Sequence, residues 1–155
     1  MADVSRGNAG AESMTAAPVG TLVVAGDTAY RERARGVLGE LGPVTFALAL
    51  PTDPEDVAWL VRQARPEVVV LDATGCETEV ATVLAALAQQ APRVGVVVVC
   101  EHLTQAAQIL RALPKWGWKR ELRAAVELAR LEGNPLVHRR TGLVGPRRDL
   151  RGADA

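Results

Sequence analysis

Aromatic side chains are almost missing from this sequence. Tyr30, Phe46, Trp59, Trp116 and Trp118 are the whole complement, 3% of 155 residues. With no aromatic ring among the arginines from Arg139 to Arg151, the tail offers no stacking platform for single-stranded nucleic acid, and Ala, Val and Leu must build the core. Net charge is missing too. The 18 basic residues balance 18 acidic ones, so no bulk field draws the chain to nucleic acid or a membrane surface. No apolar run approaches the ~20 residues of a membrane span. The opening MADVSRGNAGAESMTAAPVG lacks the basic start and apolar centre of a signal peptide. Two cysteines, Cys76 and Cys100, without an export signal point to reduced thiols in a cytoplasm. A Walker loop, a Gly-x-Gly-x-x-Gly turn and a nucleophile elbow are all absent. Lysine is scarce as well: only Lys115 and Lys119 among the basic residues.

What is present is a set of short, uninterrupted apolar runs. Glu67 to Gly75, EVVVLDATG, is the clearest: a β-branched run entering a carboxylate and then turn-forming residues, the pattern of a parallel strand buried on both faces. Ligands in such sheets sit beyond the carboxyl ends of the strands, where Asp72 stands. Thr21 to Ala25 and Val94 to Cys100 repeat the pattern, and Val44 to Leu50 alternates as a further strand. Between them lie helical periodicities, from Thr28 to Leu41, from Asp53-Pro54-Glu55-Asp56 to Ala64, from Thr78 to Gln89 and from Thr104 to Leu113. Trp116-Gly117-Trp118 reads as a brief fifth strand, with both indoles on one side, and Arg120 to Leu131 as a last helix closed by Gly133. Strict alternation of strand and helix predicts an α/β fold with a parallel sheet covered on both faces. The expected divisions are a disordered segment over 1–19, one domain over 20–133 and a flexible basic tail over 134–155; Met14 is an alternative start.

The runs LVVAGDTAYRERARGVL, PEVVVLDATG and VGVVVVC, in this order and spacing, resemble the receiver domain of bacterial response regulators, the CheY-like family. The resemblance covers Thr21 to Gly133. It implies the flavodoxin-like doubly wound sheet, order 2-1-3-4-5, and a phosphoryl group accepted on the aspartate ending strand three, here Asp72. The family's acid pair after strand one falls on Ala25 and Gly26; only Asp27, one step on, keeps a carboxylate. Asp27, Asp72 and the Thr74 carbonyl are therefore the expected ligands of a weak Mg²⁺ site, if any, with capping of the first helix as the other role for Asp27. The family's hydroxyl residue falls on Cys100, a poor hydrogen-bond donor. Its lysine falls on Lys119, with Lys115 as the fallback. Asp72 is expected near little compensating charge beyond that lysine.

Those losses imply a degenerate, stand-alone receiver-like module without an effector domain. It would act by protein–protein contact, with weak or absent phosphoryl acceptance at Asp72, and not as an enzyme. The alternative is a functional receiver phosphorylated on Asp72 in a two-component phosphorelay. A flavodoxin-like cofactor binder is disfavoured because AGDTAY lacks a Thr/Ser-rich phosphate loop. The expected partner is a histidine kinase or effector docking near Trp116 and Trp118, or a second copy of the chain; packed indoles that merely fill a shortened loop are the other reading. Cys76, Cys100 and His102 form neither a zinc signature nor a compelling redox pair. His138 and the arginines from Arg139 to Arg151 read as a solvated tail rather than a nucleic-acid arm.

Overall fold

The computed structural model describes residues 18–47 and 53–134. Ten elements alternate along it: β1 (Thr21–Val24), α1 (Thr28–Leu38), β2 (Val44–Ala47), α2 (Pro54–Ala64), β3 (Val68–Asp72), α3 (Glu77–Gln90), β4 (Gly95–Cys100), α4 (Gln105–Ile109), β5 (Leu113–Pro114) and α5 (Lys119–Glu132). All strand pairs are parallel, in the order β2-β1-β3-β4-β5. This is the flavodoxin-like, doubly wound arrangement that the sequence predicts. No described helix is long and apolar enough to cross a membrane.

Strand periodicity divides the core into two layers. Leu22, Val24, Val69, Leu71, Val96 and Val98 pack beneath α2 and α3, together with Val57, Val61, Val83 and Leu87. Val23, Val68, Val70, Val97 and Val99 pack on the other side against Tyr30, Leu38, Leu122 and Val126 of α1 and α5. Because β1 lies between β2 and β3, successive crossovers leave it in opposite directions. The crevice that this reversal opens lies at the carboxyl ends of β1 and β3.

Local signals explain most boundaries. Asp27 and Asp53 cap α1 and α2 by accepting two backbone N–H groups each, and Pro54 opens α2. Gly133, with φ 78°, ends α5. Helix α1 stops at Leu38 rather than Leu41, where Gly39 and Gly42 lie. The expected strand residues 48–50, and the tail with His138 and its arginines, lie outside the described residues. Two residues assigned to the flanks belong to the fold. Val19 is buried and donates to Leu41, and Asn134 is buried with its side chain on the Leu84 carbonyl.

The largest correction concerns the fifth strand, which is Leu113–Pro114 and not Trp116-Gly117-Trp118. Helix α4 ends at Ile109, Arg111 takes a left-handed φ of 59°, and the chain enters the sheet early, with Pro114 opposite Cys100. The Gly117 N–H then closes a turn on the Pro114 carbonyl, so the two indoles leave the sheet instead of sharing a strand face.

Strand β4 and helix α5 approach closely at Gly95, where an added Cβ would lie inside the van der Waals envelope of the Ala129 carbonyl. Both are backbone of regular elements and neither can yield locally. Gly95→Ala should therefore cost about 1–3 kcal/mol in urea unfolding; a change of only a few tenths would show that this contact is not a constraint.

Candidate functional site

Three strand ends meet in the crevice. Asp72 ends β3, Asp27 follows β1, and Lys115 follows β5. The Lys115 ammonium lies 2.8 Å from Asp72 Oδ2 and 3.1 Å from Asp27 Oδ2. Its side chain is 5% exposed, Asp72 10% and Asp27 37%, so the cluster opens to water on the Asp27 side. Lys115 is anchored by its own N–H on the Cys100 carbonyl and is flanked by the Tyr30 and Trp116 rings, each 5.5 Å from Nζ.

All four carboxylate oxygens of Asp27 and Asp72 have a partner. Asp27 spends Oδ1 on the Ala29 and Tyr30 N–H groups of α1 and Oδ2 on Lys115. Asp27 thus has the capping role through one oxygen and pairs with Lys115 through the other. Asp72 accepts from the Thr74 N–H and hydroxyl at Oδ1, 3.1 and 2.7 Å, and from Lys115 at Oδ2. Thr74 in turn accepts from the Glu101 N–H, tying the loop after β3 to the loop after β4. Asp72 is therefore well compensated, contrary to expectation. Lys119 is exposed in the first turn of α5, and the early entry of β5 gives its expected place to Lys115.

The donor set does not fit a Mg²⁺ site. A hard divalent cation needs carboxylate oxygens free to face it, with water completing an octahedron. Here the two oxygens that face each other across the crevice are joined by an ammonium, and Ala25 and Gly26 supply no third acid. Among the described residues no cluster of three His, Cys, Asp or Glu could hold a metal.

The pKa shifts follow from this arrangement. Burial alone would push Lys115 down, but hydrogen bonds to Asp72 and Asp27 outweigh it and hold the ammonium above its ordinary value. The Lys115 hydrogen bond, then the Tyr30 N–H, hold Asp27 below the usual carboxylate range. Burial raises the Tyr30 phenol, and its hydroxyl has no partner among the described residues.

Cys100 lies beside the cluster with its thiol directed to Glu77 Oε2 at 3.2 Å and the His102 carbonyl at 3.1 Å. Burial and the Glu77 carboxylate raise its pKa, and burial lifts Cys76 to about 11. Both are free thiols, unsuited to ready thiolate chemistry. Glu77, missed in the sequence, was signalled by its place just after the turn that follows β3, in the first turn of a helix. Trp116 packs edge-on to Tyr30, ring centroids 5.6 Å apart, yet remains 43% exposed. Trp118 is 67% exposed, with the Arg120 guanidinium over its ring, and Arg33 donates to the Gly117 carbonyl between the indoles.

No family model matches the chain, and no curated protein matches it in sequence. Solved structures match it in shape. The CheY-like protein TadZ from Pseudomonas aeruginosa aligns at 14% identity, over 73% of this chain and 94% of its own, with a TM-score of 0.57. The signal receiver domain of a LuxO repressor protein from Vibrio parahaemolyticus aligns at 14% identity, over 84% of this chain and 100% of its own, with a TM-score of 0.59. A pilus assembly-related protein from Burkholderia pseudomallei gives 14% identity, 73% and 90% coverage and a TM-score of 0.60. The chain has the receiver fold.

The ion cluster makes two predictions. At neutral pH, Lys115→Met should lower stability by about 2–3 kcal/mol, because it leaves the largely buried Asp72 carboxylate without its counter-charge and facing Asp27. Asp72→Asn should cost less, about 1–2 kcal/mol, since the amide oxygen still accepts from Thr74. Urea unfolding distinguishes the two, and a neutral or stabilising Lys115→Met would refute the account.

The pH dependence has two limbs. Asp27, held low, contributes stability above its ordinary value of 3.8, lost as pH falls through its lowered folded value. Lys115, held high, contributes below its ordinary 10.5, lost as pH rises through its raised folded value. The stability gap between the wild type and Lys115→Met should form a plateau between these limbs and shrink beyond both; a flat gap across the acid limb would exclude Asp27 from the cluster.

Proposed function

We propose that this chain is a receiver-like signalling module that works by protein–protein contact, with weak or absent phosphoryl acceptance at Asp72 and no enzymatic turnover. The carrying observation is the Lys115 ammonium between Asp27 and Asp72, 3.1 and 2.8 Å away. It neutralises the crevice from within, where a phosphotransfer site needs a cation that can also hold the incoming phosphoryl oxygens. Cys100 supports the same reading, since its thiol is directed to Glu77 and His102 and supplies no hydroxyl. The receiver fold shared with the structures above gives the signalling class its footing. The partner is another signalling protein. Its docking face includes Trp116 and Trp118 with Arg33 and Arg120, residue types that dominate interface energetics when buried by a partner. A bacterial cytoplasm, with its reducing thiol pool, is the setting that suits two free cysteines.

The alternative, a competent receiver phosphorylated on Asp72, draws support from the same lysine. Lys115 is within hydrogen-bond distance of the carboxylate that would carry the phosphoryl group.

Acetyl phosphate with Mg²⁺ discriminates the two. Mass spectrometry should find no stable phosphoryl adduct on the wild type, and robust labelling that vanishes in Asp72→Asn would promote the alternative. Gly26→Asp combined with Cys100→Thr should recover labelling. Position 26 has open space for a side chain and no positive φ to strain it. Continued failure of that variant would leave the acid missing at Ala25 and the Lys115 bridge as the remaining causes.

A further inference from the structure

Strand β4 has six residues and β5 only two. Their pairing covers Val99 and Cys100, opposite Leu113 and Pro114. Among the described residues, Gly95 to Val98 therefore have β3 on one edge and no strand on the other. The hydrogen bonds fix which groups face outward. The Gly95 N–H and the Val99 carbonyl bond to Glu67 and Ala73 on the β3 side, whereas the Cys100 carbonyl accepts from Lys115 on the β5 side. By alternation, the peptide groups of Val96 and the Val98 N–H point past the free edge. They open onto a groove of about 180 Å³ whose apolar walls include Leu110, Leu113, Ala125 and Leu128. A main-chain edge inside an apolar groove calls for an extended occupant that brings its own donors and acceptors.

The chain carries such a segment within reach. Helix α5 ends at Gly133, which lines the groove. Buried Asn134 then fastens its side chain to the Leu84 carbonyl of α3, 3.1 Å away. The backbone has thus passed from the α5 side of the sheet to the α3 side near the start of β4. Pro135-Leu136-Val137-His138 follow. A residue before proline favours extended geometry, and proline, lacking an N–H, is tolerated as the first residue of an edge strand. Three extended residues at ~3.3 Å each reach from that point to Val98. Tethering spares the segment the entropy that a free peptide would lose.

We propose that Leu136 and Val137 dock along the free edge of β4 as a short parallel strand, supplying the half of the fifth strand that Leu113–Pro114 leaves out. Their side chains enter the groove, and their main chain takes the Val96 and Val98 peptide groups. The groove is thereby a site for this chain's own C-terminal segment.

Nuclear magnetic resonance on the full chain tests this. Cross-strand Overhauser contacts between Val137 and Val98 are expected in the unmodified protein, and their absence overturns the proposal. The Val96 and Val98 amides should exchange at least tenfold more slowly in the unmodified chain than in the Leu136→Asp, Val137→Asp double variant. The β3 amides of Val69 and Val70 report whether that variant stays folded; should it unfold, the contacts in the unmodified chain decide. Slow exchange that persists in a folded double variant, or that increases with protein concentration and so signals a second copy, overturns the proposal. So does slow exchange lost in Leu143→Asp instead, which would assign the groove to a later segment.

Discussion

An ammonium held almost dry is the constraint on which the rest of this structure depends. Removing a charge from water costs several kcal/mol unless opposite charge and hydrogen bonds meet it. Here the compensation arrives from two loops far apart in sequence, and Lys115 can be buried only if β1, β3 and β5 end at one level. The sheet order brings the first two together. The early entry of β5 sets the third, and the N–H of Lys115 on Cys100 holds it there. The rings of Tyr30 and Trp116 complete the enclosure with faces that a cation favours.

The architecture was legible because burial on two faces leaves an unmistakable trace. VVVL, LVV and VGVVVV tolerate no polar residue, and the Asp-capped starts at Asp27 and Asp53 mark helices by local chemistry alone. Asp72 was legible for the same reason, as the carboxylate at the end of the most apolar run. The fifth strand was not. Two residues carry no periodicity, Pro114 reads as a terminator, and Trp-Gly-Trp imitates a strand more convincingly than Leu-Pro does. The wrong strand carried the wrong lysine with it, so Lys119 stood where Lys115 belongs. The compensation of Asp72 was hidden too, because Thr74 acts through a side chain that curls back two residues, which spacing cannot reveal.

The site is built where the ends of three strands come together. Asp27, Asp72 and Lys115 meet there, and the tethered ammonium takes the facing oxygens of both acids. An ammonium has three donors and a fixed stem, whereas a metal ion can exchange ligands. Cys100 lies beside the cluster, and its thiol turns toward Glu77 and links β4 to the start of α3.

Asp27 divides its two oxygens between a helix and a strand end, and that division joins their motions. One oxygen closes the first turn of α1; the other restrains Lys115 just after β5, 88 residues along the chain. Rotation of that single carboxylate releases both at once. The N-terminal turn of α1 and the β5–α5 loop with its two indoles are thus tied through one side chain. An event at Asp72 that drew the ammonium away would free Asp27 to cap α1 alone.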